Sequence, residues 1–201
     1  MIIKLYNDNP QERVVREVVK QLAAGAVIVY PTDTLYALGC SIKSAQGIEK
    51  LKQIKGKDSD QMALVCADLT SIATYAKVDD VTFRTLRKNL PGAFTFIMPA
   101  SKKSPEKVLE GRHTVGIRVP NNNIALAIVR ELGAPLVTTS VCHAGDEAEY
   151  LTDPTLIAEI YPMADIVIDG GIGENNPSTV VDCSLEGCEP TIIRQANAIL
   201  K

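Results

Sequence analysis

The stretch from Ala26 to Cys40, AVIVYPTDTLYALGC, constrains the fold of this chain more than any other. An apolar run of strand character, Ala26 to Tyr30, stops at Pro31. Two hydroxyls, Thr32 and Thr34, then flank Asp33 before Leu35 resumes an apolar path to Gly39. Residues of buried-strand type followed by a small polar loop put hydrogen-bonding groups at the carboxyl end of a strand, where α/β sheets bind ligands. A turn that satisfies its own backbone through threonine and aspartate side chains explains the same residues. The loop alone leaves both readings open.

Strand-like and helix-like segments alternate along the rest of the chain. Residues 2–5 read as a first strand. Asn9, Pro10 and Glu12 read as an N-cap, a first-turn proline and an approximate capping box, with Val14, Val15, Val18, Val19 and Leu22 at helical spacing and Gly25 as the stop. Ser44 caps a helix to about Lys55, and MALVC (62–66) is a strand. Residues 69–76 and 79–89 are helices that end at Pro91-Gly92. FTFIM (94–98) and TVGIRVP (114–120) are strands joined by a basic loop. Asn122 caps a helix that Gly133 stops, and PLVTTS (135–140) is a strand. Residues 154–161 form a short helix before DIVID (165–169), STVVDC (178–183) and PTIIR (190–194). Without repeat or linker, the pattern predicts one α/β domain over residues 1–201 with an open, twisted mixed sheet flanked by helices.

No apolar run is long enough to span a bilayer, and charged Lys4 follows the N-terminus at once, which predicts a cytoplasmic protein with no leader and no membrane partner. Five cysteines without a CxxC pair, and only two histidines, argue for reduced, mostly buried thiols and no metal site. The net charge of −3 hides an asymmetry. Residues 1–130 hold 19 Lys+Arg against 12 Asp+Glu, whereas 131–193 hold 12 Asp+Glu and no cation. From Arg84 to Arg118 eight cations meet two acids, a division that suits an anionic ligand on one face.

The chain has no P-loop, and Gly171-Ile172-Gly173 lacks the third glycine of a dinucleotide fingerprint. Cys142-His143 is a poor catalytic pair, since neighbours on an extended strand point to opposite faces. In TVGIRVP, Val115, Ile117 and Val119 share one face; Thr114, Gly116 and Arg118 share the other. An arginine beside a glycine leaves room for a ligand against the sheet, and a guanidinium grips a carboxylate or phosphate with two hydrogen bonds. A salt bridge to a nearby aspartate is the competing explanation. Arg194 is a second strand-borne arginine, and in Lys55-Gly56-Lys57 two lysines can converge on a polyphosphate.

Taken together, PTDTLYALG, IKGK, LPGAFTFIM, TVGIRVP, PLVTTSVCHAG, IDGG, STVVD and IIRQ occur in the order of the YrdC-like family, and the resemblance spans almost the whole chain. The sequence is most similar to the YciO branch. The resemblance implies a concave mixed α/β fold with a basic cavity. It also implies synthesis of L-threonylcarbamoyl-adenylate from L-threonine, bicarbonate and ATP, with Mg²⁺ carried mainly by the nucleotide, for the t6A37 modification of tRNA. By matched position, Thr32, Arg118 and Ser178 would hold threonine, Arg118 clamping its carboxylate, with Cys66 at the pocket edge. Lys55, Thr114, Ser140, Cys142 and Arg194 would surround ATP, and Lys55, Lys57 and Arg118 would neutralise charge during transfer.

Three departures bear on activity. Lys57 stands where the family's synthases carry the arginine of Lys-x-Arg, Cys142 replaces the asparagine of Ser-x-Asn, and Met62 stands at a strand entry usually marked by proline. These leave open weak, altered or absent synthase activity. Two other readings stand beside it: binding of tRNA or double-stranded RNA without efficient chemistry, and a nucleotide hydrolase or transferase acting on an adenylate made elsewhere. Three Phe, six Tyr and no Trp offer little stacking surface for bases.

Overall fold

A computed structural model describes residues 1–56, 62–141 and 152–201. Its strands are β1 (Ile2–Lys4), β2 (Val27–Tyr30), β3 (Ala37–Ser41), β4 (Ala63–Val65), β5 (Phe94–Pro99), β6 (Thr114–Arg118), β7 (Leu136–Ser140), β8 (Ile166–Asp169), β9 (Thr179–Asp182) and β10 (Thr191–Arg194). The helices are α1 (Glu12–Ala23), α2 (Ala45–Lys55), α3 (Leu69–Tyr75), α4 (Asp80–Asn89), α5 (Glu106–Leu109), α6 (Asn123–Leu132) and α7 (Pro154–Ile160). Among the described residues all the strands join one sheet in the order β1-β8-β2-β3-β7-β4-β6-β5-β9-β10. β1–β8, β2–β8, β4–β6 and β5–β9 pair parallel and the other neighbours antiparallel, so the sheet is mixed, as expected.

Side-chain parity divides the core in two. On one face Val27, Val29, Leu38, Leu64, Phe96, Ile117 and Val137 pack with α2, α3, α4, α5 and α7 through residues such as Leu51, Ile72, Leu86 and Ile157. On the other, Ile28, Tyr30, Val65, Leu136, Ile166 and Ile168 lie under α1 and α6, which contribute Val15, Val18, Leu22, Ile124 and Ile128. That second cluster stops at Val65 and Leu136. Farther along the same face Ala63, Thr95, Ile97, Thr114, Gly116, Ser140 and Val180 are only half-buried. Helices therefore cover the first face across the middle of the sheet, with the edge strands β1 and β10 exposed, and the second face over a smaller part.

Two local expectations change. Leu35 to Gly39 is a strand approach rather than an undefined apolar path: β3 folds back antiparallel on β2, and the PTDT loop joins them. The first helix starts later than Asn9. Gln11 is its N-cap, with no side-chain cap bond, because residues 6–9 form a turn closed by Asn9 N–H to Tyr6 O at 3.3 Å. Asn7 instead caps α6, its Oδ1 accepting from Asn123 N–H at 2.8 Å. Ser44, Asn122 and Gly133 mark helix ends where the sequence places them. Among the described residues no helix is long and apolar enough to cross a membrane.

Candidate functional site

Strand register places the candidate residues before any side-chain contact is considered. Ala63 pairs with both Gly116 and Thr138, so β7, β4 and β6 present Ser140, Thr138, Ala63, Thr114, Gly116 and Arg118 on one face. From Ile97 opposite Gly116 the same parity continues through Thr95 on β5 and Val180 on β9 to Arg194 on β10. This is the face that α1 and α6 cover only in part. Arg118 and Arg194 stand three strand spacings apart, about 14 Å along the sheet. Thr114 stands four residues from Arg118, about 13 Å along the strand.

At the centre, Arg118 is buried, 6% exposed. Its Nη2 donates to Asp33 Oδ1 at 3.1 Å and to Thr34 Oγ1 at 2.7 Å. The buried Nε finds no hydrogen-bond partner. Burial lowers the pKa of this guanidinium, Asp33 opposes the shift, and Arg194 adds to it. The group stays charged regardless, since arginine does not lose its proton in proteins. A guanidinium has two edges that offer a pair of nitrogens, and both include Nη2. With both Nη2 hydrogens engaged, the expected two-point grip on a carboxylate is closed in this structure, and the aspartate salt bridge that competed with it is present.

The PTDT loop follows its plainer reading as well. Thr32 Oγ1 donates to Leu35 O at 2.8 Å, accepts Thr34 N–H at 3.0 Å and lies 3.0 Å from Thr34 Oγ1. Asp33 and Thr34, which bind Arg118 directly, belong to the loop on which the sequence centres, but of its polar residues only Thr32 is a candidate by motif. The adjacent hydroxyls and carboxylate are the available signal, and the sequence alone leaves ligand binding and self-satisfaction both open. A cleft of about 450 Å³ opens against the loop, lined by Thr32, Asp33, Thr34, Asn121, Asn122 and Asn176 among others; of the candidate residues that are described, only Thr32 lines it.

The remaining candidates form two groups. Lys55 Nζ, at the end of α2, donates to Ser140 O at 3.2 Å. Arg194 Nη2 donates to Ser178 O at 2.9 Å, and Ser178 Oγ lies 2.8 Å from Thr95 Oγ1. Thr114 is half-buried on the same face. Cys66 stands apart. It is fully buried with Leu64 and Val119 in the core on the opposite face, where burial pushes its thiol up to about 12. Strand parity explains the correction: Val65 takes the site side, so its neighbour turns away. Lys57 and Cys142 lie outside the described residues.

The basic span from Arg84 to Arg118 does not gather on one face. Arg84, Arg87 and Lys88 are exposed on α4, whose Leu86 packs into the core opposite Arg118. Arg112 turns back to cap α5, donating to Leu109 O at 2.9 Å and Val108 O at 2.8 Å.

The chain matches the Sua5/YciO/YrdC family, described as "Telomere recombination", over residues 20–196. It is 39% identical over 194 residues to the Escherichia coli K12 protein named "Uncharacterized protein YciO", covering 95% of this chain and 93% of that one. It is 34% identical over 167 residues to a threonylcarbamoyl-AMP synthase of Thiobacillus denitrificans, covering 80% of this chain and 86% of the relative. The crystal structure of E. coli YciO superposes with a TM-score of 0.90 at 36% identity, over 99% of this chain and 97% of that one. Pyrococcus abyssi Sua5 complexed with L-threonine shares the fold, with a TM-score of 0.86 at 24% identity; the likeness covers 98% of this chain and 57% of that one. With the family model matched over residues 20–196 and relatives matched over most of their length, the chain belongs to the Sua5/YciO/YrdC family.

Proposed function

We propose that this protein is a threonylcarbamoyl-AMP synthase, which condenses L-threonine, bicarbonate and ATP into threonylcarbamoyl-adenylate and pyrophosphate. The observation that carries the reading is the buried Arg118, charged and with an unpartnered Nε, on a half-open sheet face shared with Thr114, Ser140, Ser178 and Arg194, while the Lys55 ammonium reaches the end of β7 from α2, which packs on the other face. An N–H left without an acceptor in a buried site is costly, so a bound acceptor oxygen would relieve it. The Thiobacillus synthase and the threonine-bound Sua5 support the substrate class.

In this reading bicarbonate, in equilibrium with carbon dioxide and water, supplies the carbon: the neutral amine of threonine adds to carbon dioxide and gives up a proton to solvent to form the carbamate, so that one water is released overall. A carbamate oxygen then attacks the α-phosphorus of ATP, and pyrophosphate leaves with its Mg²⁺. The protein's part is to bind and orient. Arg118 and Ser178 meet the amino acid, while Lys55, Thr114, Ser140 and Arg194 meet the nucleotide, neutralising phosphate charge as it shifts to the leaving group. Lysine at position 57 supplies charge without arginine's planar fork, and cysteine at 142 lacks an amide's donors, so the rate is expected below that of chains with Lys-x-Arg and Ser-x-Asn. Duplex RNA binding has less support, because the cations from Arg84 to Arg118 divide between two faces of the sheet.

Incubation with L-threonine, bicarbonate and Mg-ATP, followed by mass spectrometry, tests the proposal. Threonine-dependent pyrophosphate and adenylate are the expected products, and Lys57→Arg with Cys142→Asn should raise the rate. No adenylate from either protein, with salt-sensitive binding of duplex RNA, would replace the synthase with a binding module.

A further inference from the structure

The hydrogens around Arg118 can be assigned from chemistry alone. Arginine only donates, so Thr34 Oγ1 must accept from Nη2. Thr34 then directs its own hydrogen to Thr32 Oγ1, whose hydrogen goes to Leu35 O. The relay runs one way, and it leaves Thr32 no hydrogen to give a ligand. Asp33 takes the second Nη2 hydrogen on Oδ1, while its Oδ2 accepts Asn121 N–H at 2.8 Å. One carboxylate thus ties the guanidinium to the segment that follows the guanidinium's own strand. Both partners are well buried, with side-chain exposures of 7% for Arg118 and 11% for Asp33.

We infer that Asp33 is a positioning residue: it holds the Nη2 side of Arg118 against the β2–β3 loop and leaves the buried Nε–H and the Nη1 hydrogens, which have no partner among the described residues, to meet a substrate carboxylate oxygen one at a time rather than as a two-point fork. The inference rests on the proposed function and deepens it, since it names how that site grips its amino acid. A ligand at this corner must bring an acceptor oxygen, because the loop hydroxyls around it are already engaged. Asp33 acts only through Arg118.

Asp33→Asn keeps the shape but has one acceptor oxygen where two are in use, and its amide hydrogens face the guanidinium. Threonine-dependent pyrophosphate release should show KM for threonine raised about tenfold or more, with kcat nearly unchanged. Thr34→Val should repeat the effect, while Thr34→Ser, which keeps the relay, should stay near the parent. Thermal unfolding of each variant checks that it folds. An unchanged KM would overturn the inference. So would a lowered KM, which would make Asp33 a competitor of the substrate for the guanidinium. A second readout needs no substrate: nitrogen-15 NMR of the Arg118 Nε–H should show a slowly exchanging signal in the parent and a broadened one in Asp33→Asn, and equal signals overturn the positioning role. If the parent releases no pyrophosphate, the synthase reading fails, and the Nε–H signal still decides the role of Asp33.

Discussion

A Cβ added to Gly39 would sit 2.8 Å from Tyr30 Cε1 and 3.3 Å from the carbonyl oxygen of Val137. Tyr30 is fully buried, and its hydroxyl donates to Thr138 Oγ1 at 2.7 Å, which itself donates to Leu38 O at 3.0 Å. Burial raises the Tyr30 phenol to about 12, so it remains a neutral donor beneath Arg118. The glycine is present because the ring crosses β3 at that point. Gly39→Ala should therefore cost about 1–3 kcal/mol in urea unfolding, the range for overpacking a core. A cost near zero would show that the ring swings aside freely. Residue chemistry was readable from sequence where strand parity decided it: Arg118 and Gly116 do share a face. The same rule, carried one residue past β4, would have turned Cys66 toward the opposite core, but a matched motif position overrode it.

Among the elements, β2 and β8 are fastened at one end by a carboxylate. Asp165, just before β8, accepts Val27 N–H at 2.8 Å and Lys50 Nζ at 2.6 Å, linking both strands to α2. Burial pushes its carboxyl up, but the bonds from Lys50 and Val27 outweigh that and leave the pKa lowered. A depressed folded pKa contributes stability above the unfolded value of about 4 and loses it as pH falls through the folded value. With the side chain 40% exposed the effect is modest. The parent should lose stability between about pH 5 and pH 3 more steeply than Asp165→Asn, read by thermal unfolding across that range; identical slopes would remove Asp165 from the pH dependence. Helix ends were legible here because Ser44, Asn122 and Gly133 act locally. Gln11 and α5 were not, since the first has no side-chain cap bond and the second is four residues long.

At the scale of the molecule, the order of motifs gave the family and the mixed sheet, while the strand order in space was outside what sequence could supply. β7, late in the chain, inserts between β3 and β4 and so brings Ser140 to the face that carries Arg118. The charge asymmetry misled for a related reason. Counting cations along the chain cannot tell that α4 and β6 present them on opposite sides of one sheet. The central claim is that the half-open face around Arg118 binds the amino acid. Calorimetric titration of L-threonine into the parent, Arg118→Ala, Arg118→Lys and Lys103→Ala tests it most directly, the lysine variant keeping a cation against Asp33 should the alanine variant fold poorly. Both Arg118 variants should bind about tenfold or more weakly, while exposed Lys103 can be removed with almost no effect. Equal affinity across the four proteins would contradict the account and take Arg118 out of the site.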